Sequence, residues 1–447
     1  MLNVKDFYKE MLAIAIPIAL QNLIVSSLNT LDTVMISTLG SAAIAGVGLA
    51  NQVFFFYSMI CFGTGTGSSV MISQYYGRRD FDNLKKVNAL SNLIAFGTGI
   101  IFTLLAILIP QQLIGLMIKD PLVIEAGAKY LRLVALSYIL TGFSFSTGIS
   151  LRSTGNPKAP LVAAIVGFVC NAFFNYVFIF GKLGFPELGI LGAAVGTIIA
   201  RTAEASILLY VSTRYHCPLR GRLEELFDFS QEFIQRFIKI TLPVIINETF
   251  WGLGQIMYSV AYAKVGTDAT AAIQIVIAIQ NMAYVLVRGL SNSCTIILGK
   301  TIGQGLMDAV YPYAMRFFKL GTLLALIIAL FIGLNPDLLL SFFGHLSPVV
   351  YDLSRTLLIF VGFLFTVRAF NSILVVGVLR GGGDTQYSMY LEMGSVWLVG
   401  VPLAFIGAVV LKLPIQWVFL MASMEEITKA SFGLLRVRSK KWVHEIN

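Results

Sequence analysis

The sequence predicts an all-α membrane protein. Twelve transmembrane helices are expected in two six-helix lobes, related by a pseudo-two-fold axis around a central cleft, with both termini cytoplasmic. Three observations carry this. Of 447 residues, 57% are hydrophobic and only 12% charged, against about 25% charged in soluble domains, and mean hydropathy is +0.81. Apolar runs of the ~20 residues that a helix needs to cross a bilayer follow one another along the whole chain. The helix-breaking residues of the first half recur in the second half at one spacing.

The runs are Met11–Ser37, Ala43–Tyr76, Val87–Ile109, Leu122–Ser150, Pro160–Phe180 and Gly189–Val211, then Phe237–Tyr262, Ala269–Leu298, Phe317–Gly333, Leu353–Val378, Tyr387–Val410 and Ile415–Leu435. They are called the first to twelfth spans below. The organisation expected is an N-terminal lobe over 1–213, a cytoplasmic connector over 214–236, and a C-terminal lobe over 237–447 with a short basic tail. Leu219, Leu223, Leu226, Phe227, Phe233 and Phe237 make the connector amphipathic, suited to the membrane surface. The first run is too long and too polar for a cleaved leader, with Gln21, Asn22, Asn29 and Asp32 inside it.

Charge fixes orientation. Loops on the N-terminal side, Arg380 among them, hold twenty-one Lys and Arg; the opposite side holds Lys119, Lys129, Lys182, Lys264 and Lys412. That is the positive-inside pattern of cytoplasmic loops. It accounts for the net charge of +9 without nucleic acid as a partner. Cys61, Cys170, Cys217 and Cys294 are scattered, and His216, His345 and His444 fall in loops or the tail, so neither a disulfide framework nor a zinc site is indicated.

The repeat is specific. Pro17 and Pro243 are 226 residues apart, as are Gly40 and Gly266, Gly63 and Gly289, Gly77 and Gly303, and Pro110 and Pro336. LRSTGNPK from Leu151 matches LRGGGDTQ from Leu379 at an offset of 228. An even number of spans per repeat gives both halves one orientation.

Polar residues inside apolar spans are expensive and so point to sites. A carboxylate at the centre of a spanning helix costs about 2.5–3.5 kcal/mol on insertion scales. Asp32 is such an acid, at the end of a polar face formed by Asn22, Ser26, Asn29 and Thr33. In the fifth span Asn171 and Asn175 share a face at i, i+4. In the sixth, Gly192-Ala193-Ala194-Val195-Gly196-Thr197 lets backbones approach closely. Together these residues suit either an oxygen-rich site for a monovalent cation or a cage for a protonated acid. The seventh span carries Glu248, Trp251, Gln255, Tyr258 and Ser259; at the repeat offset Glu248 corresponds to Asn22 and Tyr258 to Asp32. Arg288, Arg368 and Glu392 have no local partner and are expected to form an interhelical network. Arg201 and Glu204 can neutralise each other at i, i+3, and Glu425, Glu426 and Lys429 lie in the twelfth span. GTGTG at Gly63–Gly67 precedes no phosphate-loop lysine and reads as packing or a hinge.

The Pro17–Asp32 helix followed by LGSAAIAGVGLANQV, the paired LRSTGNPK and LRGGGDTQ, and the closing PIQWVFLMASMEEITKASFGLLRVRSKKW resemble the multidrug and toxic compound extrusion (MATE) transporters over essentially the whole chain. The resemblance implies an antiporter in the bacterial inner membrane, acting as a monomer among lipids. It would expel organic cations or other amphipathic drugs in exchange for H⁺ or Na⁺, with no cofactor. It implies cation coupling at Asp32, with Asn171, Asn175 and Thr197 around it as the place for any Na⁺, and Pro17 as a hinge. Relatives with the fuller site carry a second aspartate where Asn175 stands. Glu248 matches an acid of the C-terminal lobe, whose partner aspartate in the tenth helix is missing from Val367–Leu379. Glu248, Trp251, Gln255, Tyr258, Arg288, Arg368 and Glu392 would then line a drug cavity or a polar site of that lobe. The rival within transport is a lipid-linked oligosaccharide flippase of the same two-lobe superfamily, whose pyrophosphate Arg288 and Arg368 could neutralise. An enzyme is not expected: no HExxH and no buried His or Cys cluster is present.

Overall fold

The computed structural model describes residues 4–344 and 346–446, without the side chains of Asn29, Ser41 and Leu223. The sequence readings on Asn29, Leu223 and His345 therefore fall outside the described residues. The described chain is helical, its one β feature an isolated bridge between Gly383 and Val443. Among the described residues, ten helices are long and apolar enough to cross a membrane. The other two expected spans are also helical. The seventh lies within Gln231–Ala263, where Asn247, Glu248 and Gln255 lower the hydropathy. The twelfth divides at Ser423 into Ile415–Ala422 and Met424–Arg438. Backbone hydrogen bonds satisfied within each helix are what allow such segments to sit in hydrocarbon. Bulky side chains such as Leu104, Leu326 and Phe363 stay exposed, as lipid-facing positions require.

Packing divides the chain differently from the repeat. One compact unit comprises Met1–Ala19 with Ile246–Asn447, the other Leu20–Ile245. Both breaks fall inside continuous helices, Val4–Ser37 and Gln231–Ala263, and 19 and 245 differ by the 226-residue repeat offset. Pro17 and Pro243 lie two residues before the breaks. Each removes one hydrogen bond from its helix ladder where the helix changes packing partners.

The repeated glycines explain how each crossing half docks. A Cβ on Gly63 would lie 2.6 Å from Ile245 Cα, and one on Gly67 2.9 Å from Thr241 Cα. In the other unit a Cβ on Gly289, the repeat partner of Gly63, would lie 2.7 Å from Ala15 O. Only glycine permits this backbone approach, so the GTGTG stretch is a packing surface. Within Leu20–Ile245 the core is built around Tyr57 and Tyr138, whose rings stack at 5.2 Å and whose hydroxyl and carbonyl join at 2.7 Å. The connector packs on this unit through buried Leu219, Phe233 and Phe237, and Lys86 meets Asp228 at 3.0 Å.

Candidate functional site

In the Leu20–Ile245 unit the predicted residues converge. Asn175 Nδ2 donates to Asp32 Oδ1 at 2.6 Å and to Asn171 Oδ1 at 3.1 Å. Asn171 Nδ2 reaches Thr197 Oγ1 at 3.4 Å, and Thr197 donates to Ala193 O at 2.9 Å. Both asparagines are buried, whereas Asp32 and Thr197 are half-buried. The small residues of the sixth span make this possible: a Cβ on Gly196 would collide with Asn175 Oδ1, and one on Gly192 would meet the Phe178 backbone at 2.5 Å. That same Asn175 Oδ1 is buried against Gly196 and has no hydrogen-bond partner. Arg201 is nearby, but its guanidinium is held by Glu204 at 2.8 Å, the pairing expected from sequence. Of the polar face leading to Asp32, Gln21 is buried, Asn22 half-buried, and Ser26 and Thr33 exposed.

The Met1–Ala19/Ile246–Asn447 unit holds two groups of charges. In one, Arg380 Nη1 donates to Glu248 Oε1 at 2.6 Å, and Nη2 lies 3.5 Å from Glu392 Oε2. Asn247 Nδ2 also donates to Glu392, at 2.6 Å. In the other, Tyr258 OH donates to Glu425 at 2.6 Å. Lys429 bridges Glu425 at 3.5 Å and Glu426 at 3.4 Å, while Asn371 Nδ2 donates to Glu426 Oε2 at 2.7 Å.

These positions correct two expectations. Arg288, Arg368 and Glu392 do not form a common network. Arg368 donates to Gln280 at 3.0 Å and lies 4.0 Å from Glu426, while Glu392 turns to Arg380. Arg288 is exposed, over the Tyr284 ring at 5.5 Å. Arg380, counted from sequence among the loop cations, is 1% exposed; the tenth helix continues as a π-helical stretch, Ile373–Arg380, and carries it inward. Trp251 is half-buried against the core of this unit, and Gln255 is half-buried with no side-chain bond to the acids. Two unpaired acids inside spans, Glu248 and Glu392, were the signal that a further cation had to be buried with them.

One contrast organises the site. Within the twelve expected spans the described acids not exposed to solvent are Asp32, Glu204, Glu248, Glu392, Glu425 and Glu426. All but Asp32 are bridged to Arg or Lys within 4.0 Å. Asp32 has the Asn175 amide as its direct partner, and Arg201 acts on it only from beyond 4.0 Å.

A fold of many long apolar helices in two repeated halves defines the class as a polytopic helical membrane protein. The chain belongs to the MatE family, whose model matches residues 17–177 and 243–406, two segments that open on Pro17 and Pro243. It is 28% identical over 445 residues to the probable multidrug resistance protein NorM of Thermotoga maritima, covering 98% of this chain and 94% of that protein. It is 26% identical over 419 residues to the probable multidrug resistance protein YoeA of Bacillus subtilis, covering 92% and 89%. Among solved structures it resembles a MATE in its bent conformation, with TM-score 0.89 at 19% identity over 97% of this chain and 95% of that one. The straight conformation gives TM-score 0.87 at 20% identity, over 97% and 95%.

Proposed function

We propose that this protein is a cation-coupled antiporter of the bacterial inner membrane. It takes up H⁺ or Na⁺ at Asp32 and exports organic cations or other amphipathic drugs by alternating access, as a monomer. The observation that carries the reading is the lone carboxylate. Asp32 accepts from the Asn175 amide and has no basic side chain within 4.0 Å. A carboxylate in an apolar span with no directly paired cation favours capture of a proton or a small cation. The relatives' names as multidrug resistance proteins support drugs as the cargo.

In this mechanism Asn175 orients the Asp32 carboxylate, and Asn171 and Thr197 orient Asn175. Cation uptake at Asp32 removes its negative charge, and the first helix repacks about Pro17 where its hydrogen-bond ladder is already open. Linkage requires the coupling cation and the drug to oppose each other's binding. In the C-terminal unit Glu248, Glu392 and Tyr258 are engaged with Arg380 and Glu425, which leaves Trp251 and Gln255 as drug contacts, Trp251 through cation–π attraction. The flippase reading loses support, because Arg368 is committed to Gln280 and Glu426.

Drug accumulation in cells lacking their own pumps, under separately imposed pH and sodium gradients, tests the proposal. The wild type should lower accumulation under at least one gradient, and Asp32→Asn, inserted normally in the membrane, should not. Wild-type efflux by Asp32→Asn would sink the coupling reading.

A further inference from the structure

The C-terminal unit carries four interior acids, yet none is open in the way Asp32 is. Glu248 and Glu392 share Arg380, at 2.6 and 3.5 Å. Glu425 and Glu426 share Lys429, with Arg368 4.0 Å from Glu426. Tyr258, Asn371 and Asn247 supply neutral donors to Glu425, Glu426 and Glu392. From the eighth span the exposed Arg288 acts electrostatically on Glu248, and from the twelfth Lys429 interacts with Glu392. Within 4.0 Å the four acids share three cations, Arg368, Arg380 and Lys429.

We propose that Arg380 is the resident cation of the C-terminal unit: its guanidinium fills the Glu248–Glu392 carboxylate pair in place of a transported cation, so that each transport cycle is coupled to a single cation, taken at Asp32. The last clause rests on the coupling reading above. The first stands on geometry alone.

Two further features fix the arginine in place. The turn that follows it is clamped by the C-terminal tail. Trp442 is fully buried, and a Cβ on Gly382 would come within 2.5 Å of Trp442 O. The His444 backbone N–H donates to Gly382 O at 2.7 Å, and Arg436 Nε donates to Asp384 Oδ2 at 2.7 Å. A guanidinium anchored at this depth, with donors on two carboxylates and Ser388, has a fixed position that a mobile ion would otherwise take.

The repeat supplies the contrast. Arg380 corresponds to Arg152 at the 228-residue offset, but Glu248 corresponds to Asn22 and Glu392 to Ala164. In the Leu20–Ile245 unit the equivalent arginine thus lacks the acid pair, and Arg152 Nε makes no hydrogen bond. One half keeps an acid without a bridging cation; the other keeps acids already filled.

Infrared difference spectroscopy on the purified full-length protein, stepping pH without sodium, counts interior carboxyl groups that take up a proton. The wild type should show one water-shielded carboxyl band, abolished by Asp32→Asn and unchanged by Glu392→Gln. Arg380→Gln should add a second band, which Arg380→Gln/Glu392→Gln weakens and added guanidinium suppresses. A wild-type band that survives Asp32→Asn and disappears in Glu392→Gln would overturn the proposal. So would an Arg380→Gln protein, folded by size-exclusion chromatography, whose spectrum matches the wild type. If Arg380→Gln does not fold, the wild-type, Asp32→Asn and Glu392→Gln comparison decides alone. A spectrum unaltered by Asp32→Asn defeats the coupling reading instead, and the Arg380 assignment is then judged on the Arg380→Gln arm.

Discussion

Asn175 and Asp32, 143 residues apart in sequence, are joined by a 2.6 Å hydrogen bond from amide to carboxylate. The bond puts a neutral donor where every other described interior acid has a basic side chain. It makes the amide the residue to alter first. Asn175→Asp would set a second carboxylate beside the first, and two like charges at hydrogen-bond distance cannot both stay ionised without a counter-ion. The variant is expected to bind a coupling cation more tightly and release it more slowly. Efflux driven by an imposed gradient should show a lower half-saturating ion concentration and a reduced maximal rate. Asn175→Leu should lose coupling while leaving the protein inserted.

Gly196 is a steric prediction. Its missing side chain gives Asn175 Oδ1 its place, so Gly196→Val forces the fifth and sixth helices apart. Overpacking of this kind costs about 1–3 kcal/mol. A lowered unfolding temperature in detergent, with loss of efflux, is expected; a fully active Gly196→Val would contradict the packing described.

Pro17 tests the crossing helix. Pro17→Ala returns a backbone donor to the Val4–Ser37 helix, and proline in a helix interior is about 3 kcal/mol less favourable than alanine. Thermal stability should rise or hold while the drug efflux rate falls, because repacking of the first helix then has to break a complete ladder. Faster efflux with unchanged stability would argue against the hinge.

Lys429 tests the filled acids. Lys429→Met strands Glu425 and Glu426 in the interior, and breaking a buried pair from one side costs about 3–5 kcal/mol. Chemical unfolding in detergent should show a loss of that order. Lys429→Met combined with Glu425→Gln should recover part of it, since one uncompensated charge is then removed.

The sequence by itself was enough for the class, for the repeat, and for the cluster in the Leu20–Ile245 unit. Apolar length, charge asymmetry and recurring prolines and glycines are one-dimensional signals, and Asp32, Asn171, Asn175 and Thr197 stood out because polar atoms inside apolar spans are rare. Three things were decided only in the tertiary structure. The first and seventh helices change partners in mid-course, because Gly63 and Gly289 admit backbones that no local pattern points to. Arg380 turns inward, because the helix before it continues as a π-helical stretch and the tail around Trp442 holds the turn after it. Arg288 and Arg368 part company, because pairing between interior charges depends on distances that sequence separation does not encode. Asp32 could be named from the chain alone. That it is the one described interior acid without a direct ion pair could be seen only once every other acid had found its own.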